Sequence, residues 1–236
     1  MKNNNKNKEL GSNTDKDFID EYELYYGAGA IQDETESEEK ARGPLSRRPS
    51  FISSYPAILV SIVIVLFSRI LTNSSYSDLI WSSHETVYVK HEYWRLITAI
   101  FTHVDSVHLI SNLPLLILFG WFLFEYFGFY IFPLTSLLVG ILTNMVTLYF
   151  YTDYIRLIGA SGMIYGMVSI WLVLYIYHDT DRSIMMRIFR ATGFALIMLF
   201  PETYNPSTSY LAHVSGFVIG IITGLLVLPF TRVRTE

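Results

Sequence analysis

Residues 158–166 read IGASGMIYG, and a mostly apolar run continues from there to about residue 177. The stretch marks where a membrane-length helix starts, and it sets one hydroxyl, that of Ser161, at that start. Gly162 and Gly166 stand four apart, which puts them on one face of a helix, one turn from each other. Ser161 and Tyr165 share a face in the same way. Small residues at this spacing let two membrane helices approach closely. A hydroxyl in such a place reads as helix-packing filler, as a cap or as a nucleophile, and the stretch alone leaves all three open.

Outward from this stretch, composition divides the chain. Of 236 residues, 51% are hydrophobic, yet residues 1–50 hold five of the six lysines and few large aliphatics. That segment carries eight Lys and Arg against eleven Asp and Glu. It buries too little apolar surface to offset chain entropy, so it is expected to be a disordered polar tail. It also lacks the apolar core and small-residue cleavage site of a secretory signal peptide. From residue 51 onward charges are rare and apolar runs are long, which reads as a membrane domain over 51–236. The net charge of −4 and the lack of a basic stripe argue against nucleic acid as a partner, and with no cysteine there is no disulfide or thiolate metal site.

Crossing ~30 Å of hydrocarbon takes ~20 mostly apolar residues. Six stretches qualify: 55–72, 106–124, 129–150, 160–177, 187–200 and 210–231. The expected fold is therefore all-α, a polytopic six-helix membrane bundle. The fifth stretch is short and begins beside Arg187 and Arg190, side chains that can extend to the interface. With the N-terminus inside, Arg42, Arg47, Arg48, Arg182, Arg187, Arg190, Arg232 and Arg234 fall on inner segments. Only Arg69, Lys90, Arg95 and Arg156 fall on outer ones. This bias predicts both termini in the cytoplasm. The segment between the first two spans is then outside, and its HEYWRLITAIFTH (91–103) is aromatic enough for part of it to lie in the membrane interface.

Polar groups inside membrane runs are costly, so each is a functional candidate. HVDSVHLISN (103–112) opens span two, GASG (159–162) opens span four and LAHVSG (211–216) opens span six. All three spans run from outside to inside, so the three clusters reach the same depth from distant parts of the chain. His108 and Asn112 share a helix face. Gly216 and Gly220 repeat the four-residue spacing of Gly162 and Gly166, so spans four and six are expected to pack closely enough to bring Ser161 within reach of His213.

Taken together these pieces resemble the rhomboid family of intramembrane serine proteases. The match covers roughly residues 55–231. In order it comprises WR (Trp94, Arg95), HVDSVHLISN, Glu125, GASG with Tyr165, and AHVSGFVIG (212–220). The resemblance implies Ser161 as nucleophile, His213 as its general base and His108 and Asn112 as oxyanion-hole side chains. Tyr165 would pack on the His213 ring, and Gly159 and Gly162 would shape the backbone around the serine. Trp94, Arg95 and Glu125 would be structural. No cofactor or metal is implied. The partners would be the bilayer and single-span membrane proteins, cut within their transmembrane segments.

The chemistry is consistent with that assignment. Serine needs a base to become a nucleophile. A carboxylate third member is not evident: Glu125 lies 13 residues past Asn112, ~20 Å deeper along the helix, and Asp105 reads as the cap of span two. A Ser-His dyad is the expected arrangement, with the amide groups of a helix N-terminus facing the developing anion. Substrates would need helix-weakening Gly or Pro near the scissile bond, and the resemblance implies that they enter past span five and PETYNPSTS (201–209). Two other readings compete. One is a client-binding pseudoprotease of the same fold. The other is a small transporter, which would need polar residues along a path through the bilayer rather than at one side.

Overall fold

The computed structural model describes residues 43–72, 80–151, 155–200 and 208–234. The expected disorder of the tail falls mainly on 1–42, and most of the PETYNPSTS loop on 201–207, both outside the described residues. The rest is all-helical. The long helices are α1 (Tyr55–Thr72), α2 (Ser106–Phe127), α3 (Ser136–Phe150), α4 (Ser161–His178), α5 (Ile184–Leu199) and α6 (Tyr210–Val227). Among the described residues five helical stretches are long and apolar enough to cross a membrane: 52–70, 106–127, 130–150, 161–178 and 210–230. The 16-residue α5 is shorter. The protein is an integral, multi-pass membrane protein.

Local chemistry sets the helix ends. The Asp105 carboxylate accepts from the His108 N–H at 2.7 Å and starts α2 as an N-cap. Gly128, at φ +81°, ends the same helix in a conformation that side chains resist. The apolar run from 129 does not form one continuous α-helix. Phe132 precedes Pro133 and takes extended angles (φ −131°, ψ 126°), as a residue before proline prefers, so α3 itself begins at Ser136. Ser183 and Ser209 cap α5 and α6 by accepting from Met186 and Ala212 N–H groups. α5 thus starts three residues before the position expected from hydropathy.

Helix α4 is the axis of the bundle. It is apolar all round, as a helix in a protein core or a bilayer is, and its Met163, Ile164, Met167, Val168, Ile170 and Leu174 are all buried. α2, α3, α5 and α6 each pack on it, α6 most extensively, while α1 packs on α2. α5 rests chiefly on α4 and buries only Ala191 fully.

The segment between α1 and α2 is folded rather than loose. Arg95, only 4% exposed, donates from Nε to Glu92 at 2.5 Å and from Nη1 to the Trp81 carbonyl at 3.0 Å. Arg156 lies over the Trp81 ring at 4.2 Å. Asn144 of α3 donates to the Leu96 carbonyl, and Tyr88 to that of Met145. Ser82 and Leu157 exchange backbone hydrogen bonds, joining this segment to the approach to α4. Trp94, by contrast, is half exposed.

At the other end of α2, residues 44–50 are held against the helix. Arg47 Nη1 donates to Glu125 Oε1 at 2.5 Å, the Ser50 N–H donates to the same oxygen at 3.3 Å, and Tyr126 Oη donates to the Arg47 carbonyl at 2.7 Å. Trp121 Nε1 donates to the Ser50 carbonyl at 2.8 Å. Glu125 is 5% exposed, so removing its cation strands a carboxylate. Arg47→Ala is expected to destabilise the protein by about 2 kcal/mol, less than a fully buried pair would cost because the Arg47 side chain is partly solvated. Glu125→Gln should cost less than Arg47→Ala. Thermal unfolding in detergent micelles checks both the size and the order.

Candidate active site

The N-terminal ends of α2, α4 and α6 meet at one end of the bundle. Where α4 and α6 pack, their glycines face each other. A Cβ built on Gly216 would overlap the Gly162 carbonyl, and one on Gly220 would overlap the Gly166 carbonyl and Ser169 Oγ. One on Gly162 would lie 3.4 Å from the Ala212 carbonyl oxygen. The residue after Ser161 therefore lies beside the residue before His213, with no room between them for more than a methyl group. This close approach is what the paired four-residue spacings predicted.

Ser161 is the first residue of α4, preceded by Ala160, which has no capping side chain. The first intrahelical bond runs from the Ile164 N–H to the Ala160 carbonyl at 3.0 Å. The N–H groups of Ser161, Gly162 and Met163 therefore have no acceptor within the helix. They adjoin a small cleft of about 70 Å³ whose walls include His108, Gly159, Ser161, Gly162, Ser209 and Ala212. Its volume admits a few water molecules.

His213 is half-buried on the first turn of α6. Its ring stacks on that of Tyr165, with centroids 4.1 Å apart and planes at 12°. Tyr165 Oη donates to the Met198 carbonyl of α5 at 2.8 Å, so the tyrosine that braces His213 also ties α4 to α5. Ser209, the cap of α6, shares a 2.6 Å hydrogen bond with Tyr151 Oη. Ser161 and His213 do not hydrogen-bond to each other in this structure.

Gly159 stands where glycine alone fits on two counts. Its φ is +116°, and a Cβ would come within 2.9 Å of His108 Cε1. The His108 ring thus lies directly against the turn leading into Ser161. Asn112, one turn further along α2, is 8% exposed, and its Nδ2 donates to His103 Nε2 at 3.0 Å.

His103 is the residue whose part the sequence did not disclose. It is 1% exposed and receives two hydrogen bonds on Nε2, from Asn112 and from the Ala160 N–H at 3.4 Å. A backbone N–H can only donate, so Nε2 is an acceptor and Asn112 must present its amino group. Burial, reinforced by the neighbouring His108, pushes the His103 pKa down to about 4, so the ring is neutral near pH 7 with its proton on Nδ1. His103 thereby fixes the orientation of the Asn112 amide and joins it to the backbone beside Ser161. The family resemblance singled out His108 of the two histidines in HVDSVH, and spacing alone gave His103 no role.

Among the described residues, no three His, Asp or Glu side chains are placed to hold a metal ion. Asp105 is engaged in its cap, and Glu125 sits at the opposite end of α2 with Arg47.

The fold defines an all-helical, multi-pass membrane protein, with a serine and a histidine on facing helix ends. Residues 90–230 match the rhomboid domain, and the chain belongs to the rhomboid family. It is similar to the rhomboid YdcA of Bacillus subtilis, at 28% identity over 191 residues, covering 75% of this chain and 91% of that protein. It is also similar to RHOMBOID-like protein 2 of Arabidopsis thaliana, at 29% over 148 residues, covering 59% of this chain and 44% of that protein. With the rhomboid protease GlpG of Haemophilus influenzae it shares 23% over 155 residues, covering 63% and 78% respectively. The chain thus spans nearly all of the first and less than half of the second.

Proposed function

We propose that the protein is an intramembrane serine endopeptidase built on six membrane helices, α5 being the short one, with both termini in the cytoplasm. On this reading a protease domain over 51–236 follows a polar tail over 1–50 whose last residues are tied to α2. It cleaves transmembrane segments of other membrane proteins near the outer side of the bilayer. The observation that carries the reading is the close approach of α4 and α6 at Gly162 and Ala212, the neighbours of Ser161 and His213, beside a cleft lined by Ser161 and His108. Similarity to named rhomboid proteases supports it.

In this mechanism His213 takes the Ser161 proton as Oγ attacks the scissile carbonyl, then gives it to the leaving amine. Stacking on Tyr165 holds the imidazole plane through both transfers. The tetrahedral oxyanion forms beside the free N–H groups at the start of α4, where the helix dipole is positive. His108 and the second amide hydrogen of Asn112 donate from α2. Water from the cleft then hydrolyses the acyl-enzyme. The lack of a Ser161–His213 hydrogen bond without substrate is compatible with this, since catalytic hydrogen bonds often tighten only in the complex.

The test is reconstitution in liposomes with a single-span substrate carrying Gly or Pro in its outer half. Two fragments whose masses place the cut in that half are expected. A wild-type protein that retains such substrates without cutting any would favour client binding instead. In the same assay Asn112→Ala is expected to lower kcat by roughly 10²–10³-fold, the usual cost of one oxyanion donor. His103→Ala, which frees Asn112 to turn, should cost up to about 10²-fold in kcat with KM little changed. A larger loss for His103→Ala than for Asn112→Ala would contradict the positioning role.

A further inference from the structure

α5 and α6 both pack on α4 and leave a gap between them at the end of the bundle remote from Ser161. The gap between them is a groove of about 330 Å³. Its apolar walls are Val173 and Tyr177 of α4, Ile184 of α5, and Leu225 and Leu228 at the end of α6. One charged side chain borders it, Arg187, in the first turn of α5.

Among the described residues, no carboxylate pairs with Arg187. Its Nη1 donates to the Ile176 carbonyl at 2.6 Å, and its Nε is buried without a partner among those residues. The nearest carboxylates in sequence are engaged elsewhere. Asp179 is buried and paired with Arg182 at 2.9 Å, and Asp181 accepts from Ser46. A cation at the end of a membrane-spanning bundle lies at the level of lipid headgroups, where an anionic phosphate is the partner with complementary charge. Here the space beside it is open, elongated between helices and apolar.

We propose that this groove is a binding site for an anionic phospholipid. One acyl chain lies along Val173 and Leu225, and the headgroup phosphate pairs with Arg187 at the level of Tyr177 and Leu228. The charge and the apolar wall together select a molecule with an anionic head and a hydrocarbon tail, which is the material surrounding a membrane helix. Such a lipid would also supply the packing that α5 lacks, since that helix buries only Ala191 fully. The proposal does not depend on the protease reading.

Native mass spectrometry of the full chain, incubated with equal amounts of phosphatidylglycerol and phosphatidylcholine of the same acyl chains, tests it. The wild type is expected to retain phosphatidylglycerol in preference by roughly fivefold, the typical worth of one basic residue near a phosphate. Arg187→Gln should bring the ratio close to one. Arg190→Gln, one turn along and bordering a different groove, should keep the preference. Leu225→Trp, a substitution at an exposed position that fills the groove while sparing Arg187, should lower retention of both lipids. Inorganic phosphate should not displace the bound lipid. Equal retention of the two lipids by the wild type, an equal loss in Arg187→Gln and Arg190→Gln, undiminished binding in Leu225→Trp, or displacement by inorganic phosphate would each overturn the assignment.

Discussion

Ser161→Ala is expected to abolish cleavage of a reconstituted single-span substrate, a loss on the order of 10⁴-fold or more, because removing a nucleophile leaves only binding and oxyanion stabilisation. His213→Ala should fall nearly as far, since the two residues act as a unit and their effects do not add. A substrate-free measurement separates chemistry from substrate choice. A fluorophosphonate probe should label the wild type once, on the peptide containing Ser161. It should leave Ser161→Ala unlabelled and react with His213→Ala far more slowly. Cleavage persisting in Ser161→Ala would sink the serine-protease proposal. A wild type that neither cuts nor labels, yet holds membrane clients, would point to the pseudoprotease reading. Ser161 does not support the core in a way that would confuse the result, whereas His213→Ala also removes the ring stacked on Tyr165. Ser161 is at a helix start with its side chain partly exposed, and Ala is tolerated there because Ala160, not Ser161, occupies the cap position.

The parts of this architecture that sequence revealed are those in which spacing along one helix dictates geometry. Gly162 with Gly166, and Gly216 with Gly220, announced a close helix pair because a four-residue interval has one meaning on a helix. Asp105 announced the start of α2 because a cap acts three residues away. What stayed hidden depends on chain segments that meet only after folding. The Ala160 N–H that fixes His103 comes from 57 residues further along. The partner of Glu125 is Arg47, which charge counting assigned to the polar tail. Arg187 illustrates the same limit in another way. Hydropathy placed it at the start of span five, reaching outward to the interface. The helix begins at Ile184, and the guanidinium also caps the Ile176 carbonyl of α4, a partner that hydropathy does not register. The run from 129 spans to 150 as expected, but its stretch up to Thr135 is not regular α-helix, because hydropathy does not register the backbone restriction that Pro133 imposes on Phe132.

The second large effect belongs to the contact that joins the two halves of the candidate site. Gly216→Ala is expected to cost about 3 kcal/mol or more, at the upper end of what overpacking causes. The added methyl would meet backbone, the Gly162 carbonyl, with the Gly162 carbon at 3.0 Å and its Cα at 3.3 Å, and backbone cannot swing aside as a side chain can. Gly224→Ala, two turns further along α6, meets the Val173 side chain at 2.9 Å and should cost less. Gly193→Ala in α5 meets nothing within 4 Å and should gain up to about 1 kcal/mol from helix propensity alone. Thermal unfolding of the three variants in one detergent gives the order directly, and a Gly216→Ala cost no greater than that of Gly224→Ala would contradict it. The same methyl has a kinetic consequence in the protease reading. Any relief of the overlap moves α6 away from α4, and with it His213 from Ser161. A displacement of about 1 Å between reacting groups can cost 10²-fold. Gly216→Ala molecules that remain folded should therefore lose kcat while Tyr165 and His213 are both still present. Gly224→Ala, further from those residues, should lose stability without a matching loss in turnover.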